Sequence, residues 1–155
     1  RAPHMNPPAH PDFDPNPLPR SATMQGFDLT PLSPAEVEED FAAVTGSAHV
    51  LRGLFGDWPN GLTLEENLYD LGWHDREFLE GRSFAWIVRD KAGGYTGCAY
   101  LYPEMGRRGA ANGYVWVVDR PDRLALQATV IDEMTPWLNG LVAQPVTVTW
   151  HQPPG

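Results

Sequence analysis

Few residues in this 155-residue chain carry chemistry. Glu104 follows a run of aromatic and small residues ending at Tyr102 and Pro103. It is the first candidate for a general base, and a solvated loop carboxylate is its alternative. His74 is the second, because an imidazole titrates near neutrality; its alternative is a half-exposed helix residue. Tyr102 and Tyr114 are placed to orient a substrate or donate a proton, with strand packing as the alternative for both. His74 and Glu77 stand three apart, a spacing that can present two metal ligands. No further His or Cys cluster completes such a site, so a metal role is rejected. The single cysteine, Cys98, excludes an intramolecular disulfide and a cysteine-based zinc site. Its neighbours Ala99, Tyr100 and Leu101 make it a buried structural thiol rather than a nucleophile. His10, Asp14 and Ser21 form no triad. No Gly-rich phosphate loop joins a strand to a helix, which argues against a nucleotide-dependent kinase or dehydrogenase.

The elements that must position these groups are legible from period and punctuation. Seven of the sixteen prolines fall in residues 1–26, so that stretch is expected to be an extended or disordered tail. Residues 1–4 precede Met5 through a His-Met junction of the kind a cloning site leaves, and they are read as vector-derived. The folded domain is expected over residues 27–151. Phe27–Leu32 alternates as a short edge strand. Ser33-Pro34-Ala35-Glu36 is a capping box opening a helix with Val37, Phe41, Val44, Ala48, Leu51 and Phe55 on one face. Its first turn carries Glu36, Glu38, Glu39 and Asp40, where the helix dipole favours negative charge. Gly46 is its weak point. Gly56–Gly61 is a loop holding Trp58, which either roofs a pocket or simply packs. Thr63–Glu66 is a second capping box, and the helix it opens should bury Leu64, Leu68, Leu71 and Phe78 before stopping near Gly81.

The period then changes from 3.6 to 2. Ser83–Arg89 and Tyr95–Tyr102 read as a hairpin around Asp90–Gly94, and Gly113–Val118 as a third strand. A helix follows from Asp122 to Gly140, then a last strand over Pro145–Trp150. The fold class is α+β, in the order strand, helix, helix, three antiparallel strands, helix, strand.

Composition narrows the partners. Eleven basic against twenty acidic residues give a net charge of −9, which disfavours nucleic acid and anionic membrane. No apolar stretch reaches the length of a membrane span and no signal-peptide pattern appears, so a cytoplasmic location is the default expectation.

This order and local text resemble the Gcn5-related N-acetyltransferase (GNAT) family over about residues 27–150. The capped second helix ending Trp73-His74-Asp75-Arg76-Glu77-Phe78 and the run Gly97-Cys98-Ala99-Tyr100-Leu101-Tyr102-Pro103 carry the likeness. The resemblance implies transfer of an acetyl group from acetyl-CoA, as co-substrate, to an amine of a small molecule or peptide. It implies that Val117 and Val118 meet the pantetheine arm. Arg123 and the following amides, through Leu124, Ala125, Leu126 and Ala128, would meet the diphosphate. Arg123 and Ala128 fit the family's loop pattern, whereas Leu126 stands where its first glycine belongs. The residues after the last strand, His151–Gly155, contain no tyrosine to protonate the departing thiolate, so that proton would come from elsewhere or from water. The alternative reading is a non-catalytic GNAT-like binding or dimerisation module. Under either reading a homodimer is expected to cover the edge strand Val146–Trp150.

Overall fold

Alternating side chains from Phe84 to Val117 make three strands with two apolar faces. The structure, a computed structural model describing residues 7–154, pairs them side by side. In the hairpin, strand β3 (Phe84–Arg89) meets strand β4 (Tyr95–Pro103) antiparallel. The turn between them is held by Asp90, whose Oδ1 accepts from the Ala92 and Gly94 amides. Strand β5 (Ala110–Val117) lies antiparallel on β4, with Pro103 opposite Ala111 and Gly97 opposite Val117. On the other side, β1 (Ala22–Thr23) pairs with β2 (Asp28–Pro31), and β2 with β3. Strand β6 (Thr147–His151) runs parallel to β5, because helix α4 (Arg123–Leu141) carries the chain back across the sheet. The six strands stand in chain order, so the α+β class and the order read from the sequence hold, with β1 added.

Each face has its own core. Val130, Met134 and Leu138 of α4 cover Trp86, Ala99, Leu101 and Val115 on one side. The other side packs Ile87, Cys98, Tyr100 and Trp116 beneath Val44, Leu51 and Leu71. These come from α1 (Val37–Gly46), α2 (Ala48–Leu51) and α3 (Leu64–Leu79). Cys98 is a free, fully buried thiol, as its neighbours require.

The described part of the proline-rich segment is folded, which corrects the expected tail. Phe13 and Leu18 join the α4-side core, and Phe13 meets the Phe84 ring edge-on at 5.0 Å. His10 is buried. Its Nε2 lies 3.0 Å from both the Glu104 and Arg107 carbonyls, and its Nδ1 accepts from the Asp12 amide. Prolines thus shape an extended strap here, and apolar anchors between them hold it on the sheet. The vector-derived reading of residues 1–4 falls outside the described residues.

Two helices depart from expectation in phase. The first is not continuous to Phe55: α1 ends at Gly46, and Ser47 separates it from the single turn of α2. Ser47 Oγ is instead spent on the Asp119 amide at 2.9 Å. The buried stripe of α1 runs through Asp40 and Val44, with Phe41 only half-buried. In α3 the two capping-box hydrogen bonds form, from Glu66 N–H to Thr63 Oγ1 and from Thr63 N–H to Glu66 Oε1. Yet the buried residues are Asn67, Leu71 and Phe78, while Leu64 and Leu68 remain exposed. The inward stripe is set by how the helix lies on β3, about 60° round from Leu64 and Leu68.

Candidate functional site

Parallel pairing of β5 with β6 stops at Tyr114 opposite His151, and β5 continues alone to Val117. The Val118 amide donates to the Thr96 carbonyl and the Glu104 amide to the Ala110 carbonyl. Main-chain groups alternate along a strand, so even-numbered β5 residues face β4. Val117 therefore directs its groups, and Val115 its carbonyl, to the side where β6 has ended, whereas the Val115 amide still belongs to the β6 ladder at the Tyr114–His151 pair. That gap is closed in this structure: Val115, Trp116 and Val117 are all 0% exposed. Across it, Arg123 Nη1 donates to Gln127 Oε1 at 3.2 Å, and Gln127 Nε2 to Gln152 Oε1 at 3.0 Å.

The loop from β5 to α4 is mostly self-satisfied. The Asp119 amide is held by Ser47, the Arg123 amide donates to the Arg120 carbonyl, and the Leu126 amide to the Asp122 carbonyl. The Leu124 and Ala125 amides have no acceptor among the described residues, and they open a 19-residue helix. Such an end attracts anions. Asp122 is its N-cap residue and pairs with Arg120 at 2.6 Å, while Asp119 pairs with His49 at 2.7 Å. Leu126 is half-buried on a 70 Å³ crevice with Phe27, Thr96 and Val117.

On the α1/α3 face a cleft of 250 Å³ opens over Tyr100 and Tyr102 of β4, which stand opposite Tyr114 and Asn112 of β5. Phe55, Trp58, Trp73, Tyr100 and Tyr102 wall it; Asp40, Asn67, Asp70 and His74 supply polar atoms. Phe55 joins the cleft to the point where β5 and β6 part, with its ring 5.4 Å from Tyr100 and 4.8 Å from Tyr114. Tyr114 in turn stacks on His151 at 4.6 Å. Asp40 accepts from Asn67 Nδ2 at 2.9 Å and from the Tyr95 hydroxyl. Burial pushes its carboxyl above the ordinary range against the pull of those bonds. Asp70 stands exposed at the rim. The protein packed behind it, with Glu66 and Asp40, also raises its carboxyl. Burial lowers the His74 imidazole to about 4, opposed only weakly by Glu77, so it is neutral at pH 7.

His74 and Tyr102 therefore share one cleft, with Tyr114 at its border and Trp58 in its wall. Glu104 is elsewhere. The antiparallel register puts it at the far end of β4 from Val117, where its carboxylate pairs with Arg107 at 3.4 Å. A base acting at the β5–β6 gap cannot be Glu104. Val117, Val118 and Arg123–Leu126 lie at the expected loop, but the Arg123 side chain is committed to Gln127. Leu124, Ala125 and Ala128 are exposed on α4. Asp40, Asn67 and Asp70 escaped the sequence reading. Asp40 passed as one of four acids favoured by the helix dipole. Its position three after Val37 and four before Val44, on the apolar stripe, was the available signal.

Among the described residues no group of His, Cys, Asp and Glu is arranged to hold a metal ion, and no helix is long and apolar enough to cross a membrane. No protein-family model matches the sequence, and no curated protein matches it. Solved structures do match. RimL, the ribosomal L7/L12 alpha-N-protein acetyltransferase in complex with coenzyme A, aligns with a TM-score of 0.61 and 14% identity over 77% of this chain and 66% of that one. The acetyltransferase from Salmonella typhimurium that modifies the N-terminal serine of L7/L12 aligns at 0.61 and 11%, over 73% and 63%. The microcin C7 self-immunity acetyltransferase MccE, in complex with acetyl-CoA and AMP, aligns at 0.63 and 8%, over 83% and 69%. This chain thus spans 66% and 63% of the two L7/L12 enzymes. At such identities the likeness is one of fold.

Proposed function

We propose that this chain, which has the acyl-CoA N-acyltransferase fold of the GNAT proteins, moves an acetyl group from acetyl-CoA to an amine of a small molecule or peptide. The observation that carries the reading is one of placement. The aromatic cleft and the N-terminus of α4 are linked through β5: Phe55 and Trp58 of the cleft wall lie against Tyr114 and Trp116, and Val117 leads into the loop before α4. An acyl donor lying along Val115–Val117, with its phosphates at Leu124 and Ala125, would bring its thioester to the cleft beside Tyr114. The two amides and the helix dipole suit an anion. The closed gap means that the Gln127–Gln152 bridge must part for the pantetheine arm to enter.

The chemistry asks little of the protein. An amine nitrogen bonds to the thioester carbonyl carbon, the carbon–sulfur bond breaks, the amine proton goes to a base, and the thiolate takes a proton. His74, neutral at pH 7, accepts a hydrogen bond from the amine. The raised carboxyls of Asp40 and Asp70 are stronger bases than ordinary carboxylates. Burial keeps the Tyr102 phenol protonated, so it serves as a donor.

A second reading has its own support. The amides of Asp119, Arg123 and Leu126 are satisfied within the protein, and no glycine stands in Arg123–Ala128, which forms the first turns of α4. These favour a non-catalytic GNAT-like module that keeps the cleft as a ligand site. Melting with and without acetyl-CoA separates the two. A ligand at a hundredfold over its dissociation constant stabilises by about 2.7 kcal/mol, which for a domain of this size raises Tm by roughly 5–10 °C. No shift at millimolar acetyl-CoA, in the native chain and in Leu126→Gly alike, overturns the transferase reading. The homodimer expected over β6 is tested in the same samples by sedimentation.

A further inference from the structure

The α1/α3 cleft holds two acidic side chains, Asp40 and Asp70, and, among the described residues, no lysine or arginine lines it to balance them. Several acids elsewhere do have a cation: Glu39 pairs with Arg89 at 2.6 Å, Glu77 with Arg82 at 2.8 Å, and Asp12 with Arg108 at 2.8 Å. In the cleft only neutral donors reach a carboxylate. Asn67 and Tyr95 fix the orientation of Asp40 without neutralising it. His74, the one lining group able to become cationic, is held neutral by burial.

The rest of the wall is apolar, Leu32 and Leu71 together with five aromatic rings. Tyr100 and Tyr102 lie parallel, 6° apart, at 6.3 Å. Phe55 and Trp58 meet edge-on at 5.6 Å, and Trp73 closes the α3 side. Aromatic faces carry negative quadrupole potential and attract a desolvated organic cation, most strongly when a carboxylate is near. A space of 250 Å³ admits a small molecule or one side chain.

We propose that this cleft is an organic-cation site, in which Asp70 and the aromatic wall of Trp58, Tyr100 and Tyr102 recognise an alkylated ammonium group over the fixed carboxylate of Asp40. This deepens the acetyl-transfer reading and rests on it only for the transfer step. If transfer occurs, the acceptor fitted to this site carries a second, cationic nitrogen beside the one that attacks, since the attacking nitrogen must give up its charge. The cleft holds the charged one.

The test is calorimetric titration of the full chain, without any acetyl donor, using choline and its uncharged carbon isostere 3,3-dimethyl-1-butanol. Choline should bind about tenfold tighter or better, a difference in the range of cation–π and ion-pair effects together. Asp70→Asn, at an exposed and unpaired position, should reduce that preference to about threefold or less. Trp58→Leu should weaken choline by a similar factor while leaving the melting profile cooperative. Equal binding of the two probes, or no binding of choline, overturns the proposal. So does an undiminished preference in Asp70→Asn. Because no acetyl-CoA is present, a failed transferase assay leaves this result standing, and the reverse holds as well.

Discussion

Gln127 Nε2 donates to Gln152 Oε1 at 3.0 Å, and this single bond ties α4 to the chain just beyond β6, where β5 has lost its partner. Gln127 is fully buried, so its amide has no water to turn to if the acceptor is removed. A buried donor left unpaired costs about 1–3 kcal/mol. Gln152→Ala should therefore lower Tm by several degrees in calorimetry. Native-state hydrogen exchange should show faster exchange at Val117 and at Val115, whose amide closes the last rung of the β6 ladder. On the acetyl-transfer reading, the same variant should bind acetyl-CoA more tightly, because the bridge no longer has to break. Unchanged exchange at those amides would show that the bridge does not close the gap.

Asp40 and His74 should tilt the pH dependence of stability in opposite directions. The His74 imidazole is lowered from 6.5 to about 4, so between those values the unfolded chain binds more protons than the folded one. Stability from this group is complete above 6.5 and is lost as pH falls towards 4, by at most about 3 kcal/mol. His74→Phe keeps an aromatic ring beside Trp73 and Tyr100 and should flatten that loss. The Asp40 carboxyl is raised above 3.8, so the folded state binds the extra proton and stability declines as pH climbs through that window. Asp40→Asn should abolish the decline. Denaturant melts of the native chain and both variants, from pH 3.5 to 7.5, read the two effects as opposite slopes in the difference curves. Parallel curves would refute both assignments.

Gly97 and Gly46 should respond to the same substitution with opposite signs. A Cβ on Gly97 would lie 2.0 Å from the Trp116 carbonyl oxygen and 2.9 Å from Val117 Cα, both main-chain atoms of β5. Gly97→Ala must push β4 from β5 beside the loop that leads to α4 and should cost about 3 kcal/mol or more. Gly46 closes α1 with nothing within 4 Å of the added methyl. Gly46→Ala should stabilise by about 0.5–1 kcal/mol, through helix propensity and lost freedom in the unfolded chain. Urea midpoints measured side by side decide this, and a mild Gly97→Ala would mean that the two strands are not so close.

The order of elements was legible in the sequence because local rules generate it. The capping boxes at Ser33 and Thr63 start helices wherever the chain goes, and the alternation from Phe84 to Val117 makes strands before any partner is known. Cys98, set among apolar residues, was bound to be buried. Tertiary structure alone decided what those elements surround. Whether Asp40 faces solvent or a cleft depends on which stripe of α1 meets the sheet, and the nearby acids gave the same local signal on either side. Leu64 and Leu68 read as core because periodicity fixes a face only to within a residue, while the angle at which α3 lies on β3 selects Asn67 and Leu71 instead. Glu104 read as catalytic because its neighbours in the chain are strand residues. Its distance from the β5–β6 gap is a matter of antiparallel register, which pairs residues far apart in sequence. The strap of residues 7–26 shows the same limit: prolines disfavour long helices and strands there, but only the positions of Phe84 and Trp86 determine that Phe13 and Leu18 have something to pack against.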